Sequence, residues 1–385
     1  MPRIRKLLSI GHSYIVTLNR RLVSEIARIG KDAWEITVVA PTFSHGDLRP
    51  MHLEPDANPY YYLEGLPLHL SKYPHFMAYN WRLKEILQQN WDLVHCWQEP
   101  YIFAGGQIAW WTPQNVPLVY RTAQSNYKHY PSPFNWIENY AMSRASGWIC
   151  SGGTVAKTLE HRPGYDKPMR LIPLGVDIDY FYPNPEAGMK TRHALGWNEP
   201  DAPVIGYLGR LVPEKGLHLL MRTLDNLQTP YRAIFVGTGP METQLRTWAA
   251  KYPNRIRVCT DVKHNEVPQY LNAMDILCAP SQTGKNWREQ FGRMLIEAFA
   301  CGVPVVGSDS GEIPYVIKDA GIVVGEKDEQ GWVVALSNLL DSPSQRQELA
   351  AKGLYQAHTF YTWSVVAKQY LDFFNELVAN RNISK

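Results

Sequence analysis

Short apolar runs alternate along this chain with longer amphipathic stretches, the pattern of strand–helix–strand units and parallel sheets. In the first half KLLSIG, EITVVAP, DLVHCW, PLVYRT and GWICSG read as strands. In the second half PVIGYLGR, AIFVGTG, RIRVCT, DILCAPS and PVVGSD do the same, with helices between most of them. The two series part near Pro173–Pro183. They predict an α/β chain of two doubly wound domains facing across a cleft, residues 1–175 and 176–360. A last amphipathic helix is predicted in 361–385, where Val365, Val366, Tyr370, Phe373, Phe374 and Leu377 supply the apolar face. There is no internal repeat and no low-complexity tract.

The segment EQFGRMLIEAFACGVPVV carries the most pointed chemistry. Met294, Leu295, Ala298 and Cys301 recur at helical spacing, so Glu297 lies on the first or second turn and Glu289 in the loop before it. A helix N-terminus presents unsatisfied N–H groups and partial positive charge, a seat for phosphate. Two carboxylates beside that seat suit hydroxyl-rich groups on either side of a diphosphate, the layout of a nucleotide-sugar. The pair alone also fits a plainer account, with Arg293 and Glu297 an i,i+4 surface pair and Glu289 a solvated loop residue.

Other loops point the same way, each with its own plain alternative. In GYLGRLVPEKG, Gly209 ends a strand and Arg210 and Lys215 share one loop. Two fixed cations stabilise the charge that develops on a departing nucleoside diphosphate, but they also suit a solvated basic loop. Gly237 and Gly239 in FVGTGP follow a strand, as glycines do at any tight turn. Gly11-His12-Ser13 ends the first strand, where open α/β sheets bind ligands. His12 is there either to meet phosphate or acceptor, or as an ordinary polar loop residue. Lys285 and Arg288 divide between an acidic sugar or distal phosphate and plain solvation.

Taken in order, LIPLGVDIDYFYP, VIGYLGRLVPEKGLHLLM, AIFVGTGP, VPQYLNAMDILCAPS and EQFGRMLIEAFACGVPVVGSDSGEIPYVI resemble the retaining nucleotide-sugar glycosyltransferases of family 4, also called glycosyl transferases group 1. The likeness is close over residues 170–335 and looser before them. It implies the GT-B fold, with the last helix crossing back onto the N-terminal domain. It implies that Glu289 holds hydroxyls of the transferred sugar and Glu297 those of the ribose. Arg210 and Lys215 neutralise the diphosphate, with Gly209, Gly237 and Gly11 close by. Phe291, Gly292, Arg293 and Met294 bring the helix start and its N–H groups to it. No metal or other cofactor is implied.

Two departures from the family pattern stand out. Gly11 is followed by His12 where the family often has a second glycine, and Gln124 stands where many members carry a histidine, with Arg121 just before it. Glutamine hydrogen-bonds a sugar hydroxyl but does not titrate. His12, Arg121 and Gln124 are therefore the acceptor-side candidates. The implied reaction moves a hexose-type sugar from a nucleoside diphosphate sugar to a hydroxyl of a polysaccharide, oligosaccharide or lipid-linked acceptor, with retention, in cell-surface polysaccharide synthesis. The rival readings are a non-catalytic GT-B scaffold subunit and a nucleotide-sugar 2-epimerase.

Composition adds little beyond this. With 45% apolar and 19% charged residues the 385-residue chain suits a soluble protein, and a net charge of +3 is too small to argue for a nucleic-acid partner. Residues 1–175 hold 18 Lys/Arg against 13 Asp/Glu, which suits peripheral contact with an anionic membrane, an anionic acceptor, or simply a solvated surface. The same half holds eight of the thirteen tryptophans. Such rings fill cores more often than they stack on sugars. Trp97 and the YPSPFNW loop are the stronger candidates for stacking. Five scattered cysteines without a Cys-x-x-Cys pair suggest a reducing compartment and no zinc site. The start reads as a strand and not a signal peptide, and Pro100–Tyr120, the longest uncharged stretch, is broken by Pro113 and Pro117. A cytoplasmic protein, soluble or peripheral at the inner face of the membrane, is expected.

Overall fold

The computed structural model describes residues 3–46, 50–197, 202–285 and 287–383. The chain forms two compact units, Met1–Pro173 with Trp363–Lys385 and Leu174–Thr362.

The first unit is built on seven strands: β1 (Arg5–Gly11), β2 (Trp34–Pro41), β3 (Tyr62–Leu66), β4 (Leu93–Trp97), β5 (Leu118–Thr122), β6 (Gly147–Cys150) and β7 (Met169–Leu171). They lie in the order β7-β6-β5-β4-β1-β2-β3, every neighbouring pair parallel. The inner strands are apolar on both faces because helices cover both sides of a parallel sheet. Along β1, Leu7 points into one core and Leu8 and Ile10 into the other. Among its helices are α1 (Thr17–Gly30), α2 (Phe103–Trp111) and α3 (Phe134–Arg144).

The second unit repeats the plan with β8 (Val204–Leu208), β9 (Arg232–Val236), β10 (Ile256–Cys259), β11 (Ile276–Ala279), β12 (Val305–Ser308) and β13 (Gly321–Val324). Their order is β10-β9-β8-β11-β12-β13, again parallel. A short 3-10 turn, Pro213–Lys215, leads into α4 (Leu217–Asn226), and α5 (Arg293–Ala300) precedes β12. In each sheet the order reverses once, between β1 and β4 and between β8 and β11. That is where a doubly wound sheet opens a crevice beyond its strand ends.

The final helix, α6 (Trp363–Ile383), returns to the first unit as expected. Tyr370, Phe373, Phe374 and Leu377 enter the core made by Leu7, Val119, Ile149 and the α1 residues Leu22, Val23 and Ile26. It also takes up a buried charge. Arg121, 4% exposed, stacks on Trp97 at 4.1 Å and donates from Nε to the Tyr370 hydroxyl at 2.9 Å. Tyr370→Phe leaves that guanidinium short of an acceptor and is expected to destabilise by about 1.5 kcal/mol, measured by urea unfolding.

In the two main sheets the strands absent from the sequence reading are outermost: β3 (YLEGL), β7 (MRL) and β13 (GIVV). Each has a single strand neighbour and more exposure, so no long apolar run marks it. No described helix is long and apolar enough to cross a membrane.

Candidate functional site

In the second unit the chain leaves β8 at Gly209 and Arg210 and leaves β11 at Pro280 and Ser281, on either side of the crevice position. Three loops are tied together there. Gln282 donates its backbone N–H to the Glu214 carbonyl at 2.8 Å, and the Ser308 hydroxyl donates to the Ser281 carbonyl at 2.5 Å. The Glu312 N–H reaches the Glu289 carbonyl at 3.1 Å. Gly216 makes the first of these approaches feasible. It has φ 74°, and a Cβ there would lie 1.7 Å from the Pro280 carbonyl oxygen, so a side chain would push the Lys215 turn off the β11 loop.

Lys215 Nζ and Glu289 Oε2 meet at 2.5 Å, with side chains only 12% and 9% exposed. Ser281 donates to the same oxygen at 2.9 Å. Oε1 has no hydrogen-bond donor among the described residues, so it is open to a ligand hydroxyl. The Lys215 ammonium also lies 5.2 Å from the centre of the Trp287 ring. Arg210 is freer: its side chain is 42% exposed and lies 3.8 Å from Glu214. Its carbonyl is held by the Tyr207 hydroxyl at 2.6 Å. Burial pushes the Tyr207 hydroxyl well above its ordinary pKa, and Glu289 adds to the rise. Gly209 and Gly237 stand side by side at the ends of β8 and β9.

Gly292, at φ 82° and ψ 67°, is the cap of α5 and receives no side-chain hydrogen bond. The N–H groups of a helix's first turn, here that of Arg293 and Met294, are where a helix start meets an anion. Phe291 turns its ring into the core, 6.1 Å from Tyr361, so only its backbone is at hand. Glu297, one turn in, is 8% exposed, and its carboxyl group has no hydrogen-bond donor among the described residues. Burial pushes its pKa up to about 7, and Arg293 offsets part of the rise. The plain account of an exposed pair and a solvated loop acid does not hold, since Glu289 is 6% exposed as well.

In the first unit, Gly11 at the end of β1 pairs with Trp97 at the end of β4, at the crevice position of that sheet. Immediately beyond, His12 Nδ1 and Gln98 Oε1 lie 2.6 Å apart. Gln124 sits past β5 with both ends of its amide engaged. Its Nε2 donates to the Tyr130 hydroxyl at 2.5 Å, and its Oε1 accepts from Arg162 at 2.7 Å. Arg162 also pairs with Glu138, and the carboxylate of Glu99 accepts from Thr122 at 2.6 Å and from the Ala123 N–H at 2.7 Å. Gln124 is thus a brace for the loop after β5. Arg121, by contrast, is engaged by the Trp97 ring and by Tyr370 of α6.

Sequence reasoning missed Ser281, Trp287 and the Glu99–Arg162–Glu138 network. Ser281, next after the β11 run, had a signal in its position; Trp287 had none. Among the described residues no three His, Cys, Asp or Glu gather as metal ligands would.

Comparison with known proteins bears on the family and the fold. Residues 190–354 match the model for glycosyl transferases group 1, and residues 16–180 match that for glycosyltransferase family 4. A GDP-mannose-dependent monoacylated alpha-(1-6)-phosphatidylinositol monomannoside mannosyltransferase of Corynebacterium glutamicum is 31% identical over 205 residues, 51% of this chain and 54% of that protein. A GDP-mannose-dependent alpha-(1-6)-phosphatidylinositol monomannoside mannosyltransferase of Mycolicibacterium smegmatis is 30% identical over 270 residues, 67% of this chain. The chain spans about half of the first relative's length and 65% of the second's. Sucrose-phosphate synthase from Thermosynechococcus elongatus superposes with a TM-score of 0.75 at 19% identity, over 98% of this chain and all of that one. Anabaena HepE in complex with UDP does so at 0.73 and 17%, over 97% and 100%. Two Rossmann-like units with the fold of the GT-B enzymes, matched by both models over most of the chain, make this protein a member of the family 4 glycosyltransferases.

Proposed function

We propose that this chain is a retaining glycosyltransferase that moves a hexosyl group from a nucleoside diphosphate sugar to a hydroxyl of a lipid-linked acceptor. The observation that carries the reading is Glu289. One of its oxygens is fixed by Lys215 and Ser281, and the other is open at the crevice of the second unit. A carboxylate held that way orients sugar hydroxyls, while its lysine partner stands ready for the diphosphate. Arg210 adds a second cation, the start of α5 supplies N–H groups, and Glu297 takes the ribose hydroxyls. The acceptor is assigned to the first unit, with His12 near it and Gln124 holding its loop in place.

In the retaining scheme the acceptor attacks from the face of the leaving phosphate, whose oxygen takes the proton. The protein's task is then to bind, orient and stabilise the leaving charge. The relatives' names make GDP-mannose the first donor to try and a phosphoinositol lipid the first acceptor. Arg210 and Lys215 already supply positive charge at the diphosphate, so a chelator is expected to leave donor binding unchanged.

The test is a thermal-shift screen of the purified protein against GDP, UDP, ADP and their sugars. A donor at a hundredfold excess over its Kd adds about 2.7 kcal/mol of stability, a shift of several degrees. The shift should vanish in Arg210→Ala. No shift with any nucleotide would overturn the reading in favour of a scaffold subunit.

A further inference from the structure

We infer that the second unit carries a further small-molecule site, for a neutral heteroaromatic ligand that presents a hydrogen-bond acceptor beside a donor, as a nucleobase does. A cavity of about 360 Å³ lies at the end of the sheet opposite the donor crevice, beside the starts of β11 and β12. Asp275 stands just before β11, and Met189 and Arg192 come from the helix Pro185–Ala194. Leu354 of the helix Pro343–Phe360 and Cys301 at the end of α5 complete the lining used here. The first of these helices is firmly seated. The Asn184 side chain accepts from the Ala187 N–H at 3.0 Å, and Asn272 Nδ2 donates to the Tyr182 carbonyl at 3.1 Å. A Cβ on Gly188 would lie 2.2 Å from the Asn272 carbonyl oxygen. The cavity is therefore held by the fold itself, and its volume falls in the range of roughly 300–1,000 Å³ that suits small ligands.

Arg192 and Asp275 select the ligand's chemistry. Arg192 Nη2 donates to Asp275 Oδ2 at 2.8 Å, and its Nε donates to the Ala273 carbonyl at 3.0 Å. The same Oδ2 accepts from the Val204 N–H at 2.7 Å. Nη1 and Oδ1 have no protein partner among the described residues, so a donor and an acceptor stand open on adjoining side chains. The pair is neutral as a whole. A free anion meets Asp275 and a free cation meets Arg192, both unfavourably. A neutral edge that accepts from the guanidinium and donates to the carboxylate satisfies both. An amino-acid zwitterion makes the same pairing, but the other walls favour a flat ring. Met189 and Met274 bring two thioethers to the cavity, and thioether sulfur packs well against aromatic rings.

α5 joins this cavity to the donor seat. Gly292 caps its start, and at its end the Cys301 N–H reaches the Glu297 carbonyl at 3.1 Å. The Val303 N–H reaches the Ala298 carbonyl at 2.9 Å. Eight residues at ~1.5 Å each make the helix about 12 Å long. A ligand packed against Cys301 orders the last turn of the helix whose first turn faces the diphosphate, so ligand and donor should each tighten the other's binding. This coupling rests on the donor site proposed above, whereas the binding does not.

Guanosine and uridine, which lack the diphosphate, are to be titrated into the full-length protein by calorimetry, alone and with GDP in excess. At least one should bind in both conditions and raise GDP affinity about fivefold or more. Methylation of its ring N–H should abolish binding, because Asp275 then receives no proton. Met189→Glu sets a carboxylate one turn before Arg192, where it takes up the open N–H, and should weaken nucleoside binding roughly tenfold or more. Met189 is 56% exposed, so the melting temperature should not change. Met189→Leu and the donor-site change Arg210→Ala should leave nucleoside binding as it is in the parent. Displacement of the nucleoside by GDP, equal binding by parent and Met189→Glu, or no binding at all would overturn the site. So would tight binding of leucine or methionine in its place. Nucleoside binding that leaves GDP affinity unchanged would overturn the coupling. Nucleoside binding is read without GDP as well, so failure of the donor reading and failure of this site are told apart.

Discussion

Lys215→Ala is expected to lower nucleoside diphosphate affinity by about 1.5–3 kcal/mol, roughly ten- to a hundredfold, and also to destabilise the empty protein. The two effects have different causes. The affinity is lost because a fixed, poorly solvated ammonium no longer meets the phosphates. The stability is lost because Glu289 remains buried with only Ser281 to hold it. Removing one member of a buried ion pair typically costs about 3 kcal/mol or more, far beyond the value of a surface pair. Calorimetric titration with GDP and urea unfolding of the same variant separate them. The double change Lys215→Ala with Glu289→Gln should recover much of the stability and none of the affinity. If Lys215→Ala binds nucleotide as the parent does, the diphosphate seat has been put in the wrong place.

Glu297→Gln should act in the opposite sense on stability. In the unfolded chain this carboxyl has its ordinary pKa near 4.5, and in the folded protein burial raises it to about 7. Below pH 4.5 both states hold the proton and nothing is lost. As pH rises from there to 7 the unfolded state ionises first, so the folded state loses stability, and the loss is complete above 7. A shift of this size corresponds to something of order 3 kcal/mol. Glutamine has no proton to lose, so the variant should match the parent at pH 4 and exceed it at pH 8. Donor binding should fall in the variant, because the ribose hydroxyls lose a charged acceptor. In the parent it should strengthen as pH rises through 7. Stability profiles that run parallel from pH 4 to 8 would show that Glu297 is not buried as an acid.

The contrast shows which parts of the site were legible in the chain. The inner strands announce themselves because both faces are covered, which makes runs such as EITVVAP nearly continuous. The placing of Glu289 and Glu297 around a helix start followed from local spacing alone. Their burial did not, because it depends on Ser281, the loop at Ser308–Glu312 and the Lys215 turn, segments joined only by the fold. Arg121 is the clearest failure of local reasoning. It lies near the end of β5, just short of where a cleft residue would stand, and its partner Tyr370 lies 249 positions further on. The tryptophans divide in the same way. Trp34, Trp91 and Trp148 are core residues, as expected for any single ring, whereas Trp81, Trp110 and Trp136 are on the surface. Nothing in the composition distinguishes the two sets.

The return of α6 has a consequence for the order in which the protein can be made. Residues 174–362 are an insertion within the first unit's chain, and all of them leave the ribosome before Trp363. The second unit therefore has its full complement of strands while the first still lacks Tyr370, Phe373 and Phe374. Until those rings arrive, the core that α1 shares with Leu7, Val119 and Ile149 is incomplete and Arg121 lacks its phenol. The domain synthesised first is then the last to finish, reversing the usual N-to-C sequence of maturation during translation.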